Sequence, residues 1–158
     1  MAHTDYEFYT STFYGDVLTE ANADKWLDRA SDEVDHLTFG RLAEAFPTEE
    51  AHAVKVRKAV CAIAEALCCI DEQRRAASLK QAEDGSFRGA VASISSGKES
   101  ISFASIGNTA NASSYAAAAA DPAVQDELIR DTAVRYLANV PDANGVNLLY
   151  AGGEGYVR

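Results

Sequence analysis

The run TEEAHAVKVRKAVCAIAEALCCIDEQRRAASLK, residues 48–80, decides how the chain is read. Ala53, Val56, Val60, Ile63, Leu67 and Ile70 recur every three or four positions, the period of a helix that turns one face to a core. Pro47 precedes the run, and no further proline or glycine interrupts it before Gly85. Thr48 is placed to cap the free N–H groups of the first turn, with Glu49 and Glu50 near the positive helix end. Asp71 stands three and four residues before Arg74 and Arg75, so the wet face can pair its own charges. A helix this long outreaches the globular average. It is either broken near Asp71 or exposed along its length to several partners. No catalytic group stands out on it.

Towards the N-terminus, residues 19–37 carry a second helical stripe of Trp26, Ala30, Val34 and Leu37, with Thr19 as a cap. Asp24, Lys25, Asp28, Arg29, Asp32 and Glu33 fill the polar side, where Arg29 and Glu33 can pair. Asp28, Asp32 and His36 share a side that invites a catalytic or metal reading. A charged face in water produces the same pattern. Leu37-Thr38-Phe39-Gly40-Arg41 reads as a compact apolar turn. Residues 5–18 are rich in aromatics: Tyr6, Phe8, Tyr9, Phe13 and Tyr14. Such a segment closes one end of a core or packs on a neighbouring subunit, and aromatics suit both roles.

Beyond the central run, Ala82–Ser86 reads as a helix stop and turn. Ile101 and Phe103 then alternate with serines, the period of a strand with one wet face. With Gly97 and Lys98 at the turn, residues 87–104 are expected to form a β-hairpin. Ser96-Gly97-Lys98 is not a phosphate loop, because Glu99 stands where the magnesium-binding hydroxyl belongs. Residues 105–120 are a low-complexity spacer whose Ala116–Ala120 can join a helix. Asp121-Pro122 is an N-cap followed by a first-turn proline, opening a helix to about Asn139. Val140-Pro141 ends it. The tail from residue 145 holds Leu148, Leu149 and Tyr150, apolar enough to dock.

The expected fold is therefore mainly α: a helical bundle with a long central helix and one small β-hairpin, in a single domain of 158 residues. A net charge of −10 argues against a simple nucleic-acid binder, which needs a cationic surplus to neutralise phosphates. It does not exclude a wall that surrounds DNA and lets it slide. No apolar run approaches a membrane span, and the first residues lack a signal pattern. Cys61, Cys68 and Cys69 lie on one alanine-rich helix and read as buried thiols in a reducing compartment. Neither CxxC nor HxxxH supplies a metal-ligand set. No nucleophile elbow or dinucleotide fingerprint is present.

One ordered set of segments resembles a known family. It comprises Phe8-Tyr9-Thr10-Ser11-Thr12-Phe13-Tyr14-Gly15, Trp26-Leu27-Asp28-Arg29-Ala30-Ser31, Val34-Asp35-His36-Leu37-Thr38-Phe39-Gly40-Arg41 and Val56-Arg57-Lys58-Ala59-Val60-Cys61. These look like the head-tail connector, or adaptor, proteins of tailed bacteriophages, with Leu37–Arg41 the sharpest match. Ser93–Gly97, Ser100–Phe103 and Asn147-Leu148-Leu149-Tyr150 resemble the family's loop region and tail. The likeness covers most of residues 6–105 and, more loosely, 121–153.

The resemblance implies a structural virion protein, made in the host cytoplasm and placed at the head-tail interface. About twelve copies form a ring between the portal protein and a stopper or tail-completion protein. The ring extends a channel through which DNA passes without sequence-specific binding. The implied role is mechanical, with no cofactor and no enzymatic step. Candidate assembly contacts are Tyr9, Phe13, Tyr14, Gly97, Lys98, Leu148, Leu149 and Tyr150. Two other readings stand beside it: a soluble helical regulatory or scaffolding protein, and, more distantly, a small hydrolase.

Overall fold

The computed structural model describes residues 2–77 and 113–150, together with short stretches of paired backbone between them. Six helices are present among the described residues: α1 Tyr6–Ser11, α2 Glu20–Leu37, α3 Arg41–Glu44, α4 Glu50–Ala77, α5 Ser114–Ala120 and α6 Pro122–Leu137. The protein is mainly helical, and α4 is the long helix expected of residues 48–80. Asp71 does not break it. Its first turn begins later than a Thr48 cap requires, because the Ala53 N–H donates to the carbonyl of Glu49 at 2.9 Å. Glu49 is thus the boundary residue, and its carboxylate lies 3.2 Å from His52 Nδ1.

The other helix ends follow local chemistry. The Asp5 carboxylate accepts from the Phe8 N–H at 2.8 Å and starts α1. The Thr19 N–H donates to Asn22 Oδ1 at 2.8 Å, which secures the start of α2. Asp121 ends α5 in an extended conformation. Its side chain then accepts from the Ala123 N–H at 2.9 Å, and Pro122 opens α6.

The chain divides into two compact units. One comprises Met1–Cys68 with Ile129–Arg158, the other Cys69–Leu128. The first unit holds a continuous apolar core. Trp26, Leu27 and Val34 of α2 meet Val56, Val60 and Ile63 of α4 and Ile129, Ala133 and Leu137 of α6, sealed by Tyr9, Leu18, Leu42, Val140 and Leu148. The N-terminal residues are tied to α2 by two bonds. The His3 N–H donates to Ser31 Oγ at 3.0 Å, and His3 Nε2 lies 2.8 Å from Asp35 Oδ1. At the other end, the Ala143 N–H donates to the Ala45 carbonyl at 3.1 Å and the Leu148 N–H to the Val140 carbonyl at 2.9 Å.

In the second unit, Arg75 pairs with Asp71 at 2.8 Å, as the i,i+4 spacing suggests. Arg74 instead donates to the Ala119 carbonyl at 3.2 Å and to the Gln125 side chain, tying α4 to α5 and α6. The Ala116–Ala120 run is helical within α5, so part of the expected spacer is ordered structure. Two short antiparallel pairings are described, Lys80–Gln81 with Phe87–Arg88 and Ile94–Ser96 with Glu99–Ile101. They do not establish the single hairpin expected near 87–104, whose turn residues Gly97 and Lys98 lie outside the described residues.

Candidate assembly surface

The turn after α2 is built against the usual preference of its residues. The Gly40 N–H reaches back to the Asp35 carbonyl at 2.8 Å and the Phe39 N–H to the His36 carbonyl at 3.2 Å. That pair of bonds is the Schellman helix end, which requires a left-handed residue at its second-last position. Phe39 occupies it, at φ +57. A bulky side chain there costs about 1–2 kcal/mol relative to ordinary backbone. Packing does not offset the strain, since Phe39 remains 59 % exposed. Thr38 anchors the turn from inside: it is fully buried and its hydroxyl donates to the Val34 carbonyl at 2.8 Å. The turn is therefore not the compact apolar unit that its composition suggests, for it presents its largest side chain outward.

Two further groups meet close to this turn in the chain. The Arg41 guanidinium lies 5.9 Å from the centre of the Tyr150 ring, a cation held over an aromatic face. Tyr150 itself is 57 % exposed. The loop before it is rigid: Asp142 is buried, and its Oδ1 accepts from the N–H groups of Asn144 at 2.8 Å and Val146 at 2.9 Å. Phe39, Arg41 and Tyr150 thus stand on supported turns rather than on free ends. Sequence reading identified Tyr150 but passed over Phe39 and Arg41 as contacts. The available signal was Gly40, whose place after Leu37-Thr38-Phe39 marks a helix end.

The remaining candidates separate sharply. Tyr14 is the most exposed large hydrophobic side chain among the described residues, at 82 %, and it too has a positive φ of +60. Tyr9, five residues earlier, is fully buried. Its hydroxyl donates to Glu65 Oε1 at 2.7 Å and accepts from the N–H groups of Val17 at 2.9 Å and Leu18 at 3.0 Å. Burial pushes its phenol up to about 12, the two amides pulling downward and the Glu65 carboxylate pushing the same way as burial. Gly15 makes this possible, because a Cβ there would stand 2.1 Å from the Tyr9 ring. Tyr9 is covered by the chain's own core, and so is Leu148, also fully buried. This corrects their reading as side chains offered to a neighbour. Phe13 and Leu149 are half-buried against the same core.

Asp28, Asp32 and His36 are all exposed along α2. Among the described residues no group of three His, Cys, Asp or Glu is placed to hold a metal ion. Cys61 and Cys68 are buried and Cys69 partly so, and none of the three forms a disulfide among the described residues. Burial pushes the Cys61 thiol up to about 12, the neighbouring Thr4 hydroxyl opposing it and the Glu65 and Asp5 carboxylates adding to it. Thr4 Oγ1 is buried without a partner of good hydrogen-bond geometry among the described residues. No described helix is long and apolar enough to cross a membrane. The chain matches no protein-family model, no curated protein and no solved structure.

Proposed function

We propose that this chain is a head-tail connector subunit, a structural virion protein whose copies form a ring of about twelve between a portal protein and a stopper or tail-completion protein. One observation carries the reading beyond the resemblance itself. The segment of sharpest likeness, Leu37–Arg41, holds Phe39 in a strained and exposed position. Backbone strain that contributes nothing to the chain's own packing is characteristic of functional positions, and exposed aromatics beside an arginine are typical anchors of protein interfaces. The mainly helical body suits a rigid ring wall. A hairpin around Gly97 and Lys98 belongs to this proposal as an adaptable contact, along with Tyr14 and Tyr150. The acidic composition suits a channel that does not grip DNA.

The test is direct. Purified protein is mixed with portal particles and with tails, and complexes are imaged by electron microscopy. Rings of about twelve subunits seated on the portal are expected. Failure to bind portal or tail parts at high concentration would remove the connector reading in favour of a helical scaffolding or regulatory protein.

A further inference from the structure

We infer that the acidic outer face of α2 and the lysine-bearing outer face of α4 are complementary docking surfaces, through which one copy of the chain holds the next. The inference rests on the ring reading above and assigns the faces that would meet.

Helix α2 turns Ala23, Trp26, Leu27, Ala30, Ser31 and Val34 inward. Asp24, Asp28 and Asp32 follow one another at intervals of four on the exposed side, spanning about 12 Å of helix. The cations interleaved with them are drawn elsewhere. Lys25 Nζ lies 4.2 Å and Arg29 Cζ 5.2 Å from the centre of the Trp26 ring. Arg29 therefore does not make the expected pair with Glu33, and neither Asp24 nor Asp32 has an ion-pair partner among the described residues.

Helix α4 is buried on most of its circumference in the first unit. Its outermost strip there carries Ala51 and Lys55, which are exposed, and Lys58 and Ala62, which are half-buried. Arg57 points away from that strip, over the Phe8 ring at 5.6 Å. Lys55 and Lys58 have no ion-pair partner among the described residues. Small alanines on either side of two lysines let a second helix approach closely while the ammonium groups reach its carboxylates. No ion pair joins Asp24 or Asp32 to Lys55 or Lys58 within one copy.

The occupant is a second copy on the ground of local charge complementarity. The exposed carboxylates of α2 favour a partner that brings clustered cations, and that local attraction has to outweigh the repulsion between two chains each of net charge −10. The chain itself presents such a pair on α4. A contact between two different faces is heterologous, and repetition of it closes into a ring or runs on as a filament.

Sedimentation velocity on the full chain tests this, with circular dichroism as the folding control. The variants are K55E/K58E and D24K/D32K, all at positions outside the buried core. Each alone is expected to weaken self-association on the order of tenfold or more, since like charges then face each other. A one-to-one mixture of the two restores it, because the unaltered α2 face of the first fits the unaltered α4 face of the second, and the two altered faces, acidic α4 and basic α2, fit each other. Raising salt from about 0.05 to 0.5 M weakens wild-type association as screening shortens the reach of the charges.

Wild-type association by either variant, no recovery on mixing, or association that strengthens with salt would each overturn the inference. So would a wild-type chain that stays monomeric at millimolar concentration. Portal binding separates the two levels. Charge-reversed chains that still form normal rings on the portal defeat these faces and leave the connector reading standing. Wild-type chains that associate through these faces yet ignore portal and tail keep the faces and defeat the connector.

Discussion

Residues 5–18 and residues 140–150 both read as docking segments, the first through five aromatics and the second through Leu148, Leu149 and Tyr150. In the fold each proves to be divided. Tyr9 and Leu18 of the first and Val140 and Leu148 of the second belong to the buried core. Tyr14, the last aromatic of the first, and Tyr150, the single aromatic of the second, stand exposed. The two regions hold their buried parts differently. The first depends on one polar knot, the Tyr9 hydroxyl with its three partners. The second is held by backbone bonds around Asp142 and by the Leu148 side chain. Docking and sealing are thus properties of single side chains here, not of segments.

The comparison breaks most forcefully at Leu148. Leu148→Ala leaves a cavity in the core and is expected to destabilise by about 2–5 kcal/mol, read as a lower denaturant midpoint. Truncation after Gly145 removes the same side chain and should reduce helicity at room temperature. A truncated chain of full helicity and unchanged midpoint would show that the tail is only an appendage. The N-terminal knot is expected to matter somewhat less. Tyr9→Phe strands the Glu65 carboxylate and two amides, for a loss of about 1–3 kcal/mol. Gly15→Ala drives a methyl group into the Tyr9 ring, which those same bonds hold in place, with a loss of similar size.

Alkaline pH sharpens the contrast, because the two raised groups are Tyr9 of the N-terminal region and Cys61 of α4, whose thiol lies beside Thr4. Tyr9 and Cys61 titrate near 12 when folded, against ordinary values of 10.0 and 9.0. Their folded forms keep protons that the unfolded chain releases. The stability linked to them is fully present below pH 9 and is lost progressively between pH 9 and 12. Tyr9→Phe should flatten the part of that decline above pH 10. A midpoint independent of pH over this range would contradict the burial of both groups.

Smaller effects fall on the exposed residues. Phe39→Gly relieves the left-handed backbone and is expected to raise stability by up to about 1 kcal/mol while weakening assembly. Tyr14→Ser and Tyr150→Ser should leave the subunit's stability within about 0.5 kcal/mol of wild type. A larger loss at Tyr150 would mean that its contact with Arg41 supports the fold.

Long helices were legible because their information is repeated. Four apolar positions at one period mark α2 and six mark α4, so a single misread residue changes little. The Thr19 and Asp121 caps were legible because their side chains act on neighbouring amides. Thr48 misled for the same reason in reverse: the helix starts after Glu49, and nothing local favours one residue over the next. The division between Tyr9 and Tyr14 was not legible. It depends on Glu65, which is distant in sequence, and on Gly15 lying beneath the Tyr9 ring. Nor was the exposure of Phe39, since an aromatic in a helix-ending turn gives no sign of its φ until the Asp35–Gly40 bond is seen.

The core of the first unit also sets an order of events during synthesis. Its walls come from residues up to Cys68, but its closing side comes from Ile129, Ala133, Leu137, Val140 and Leu148. The ribosome delivers these only after the whole second unit has been made. At ~5–20 residues per second the early helices wait for roughly 4–16 s with apolar faces uncovered. Contacts so distant in sequence also slow the final step once the chain is released. The chain therefore passes through a long interval in which α2 and α4 are exposed to chaperones and to one another, and its yield in the cell is governed by how well that interval is protected.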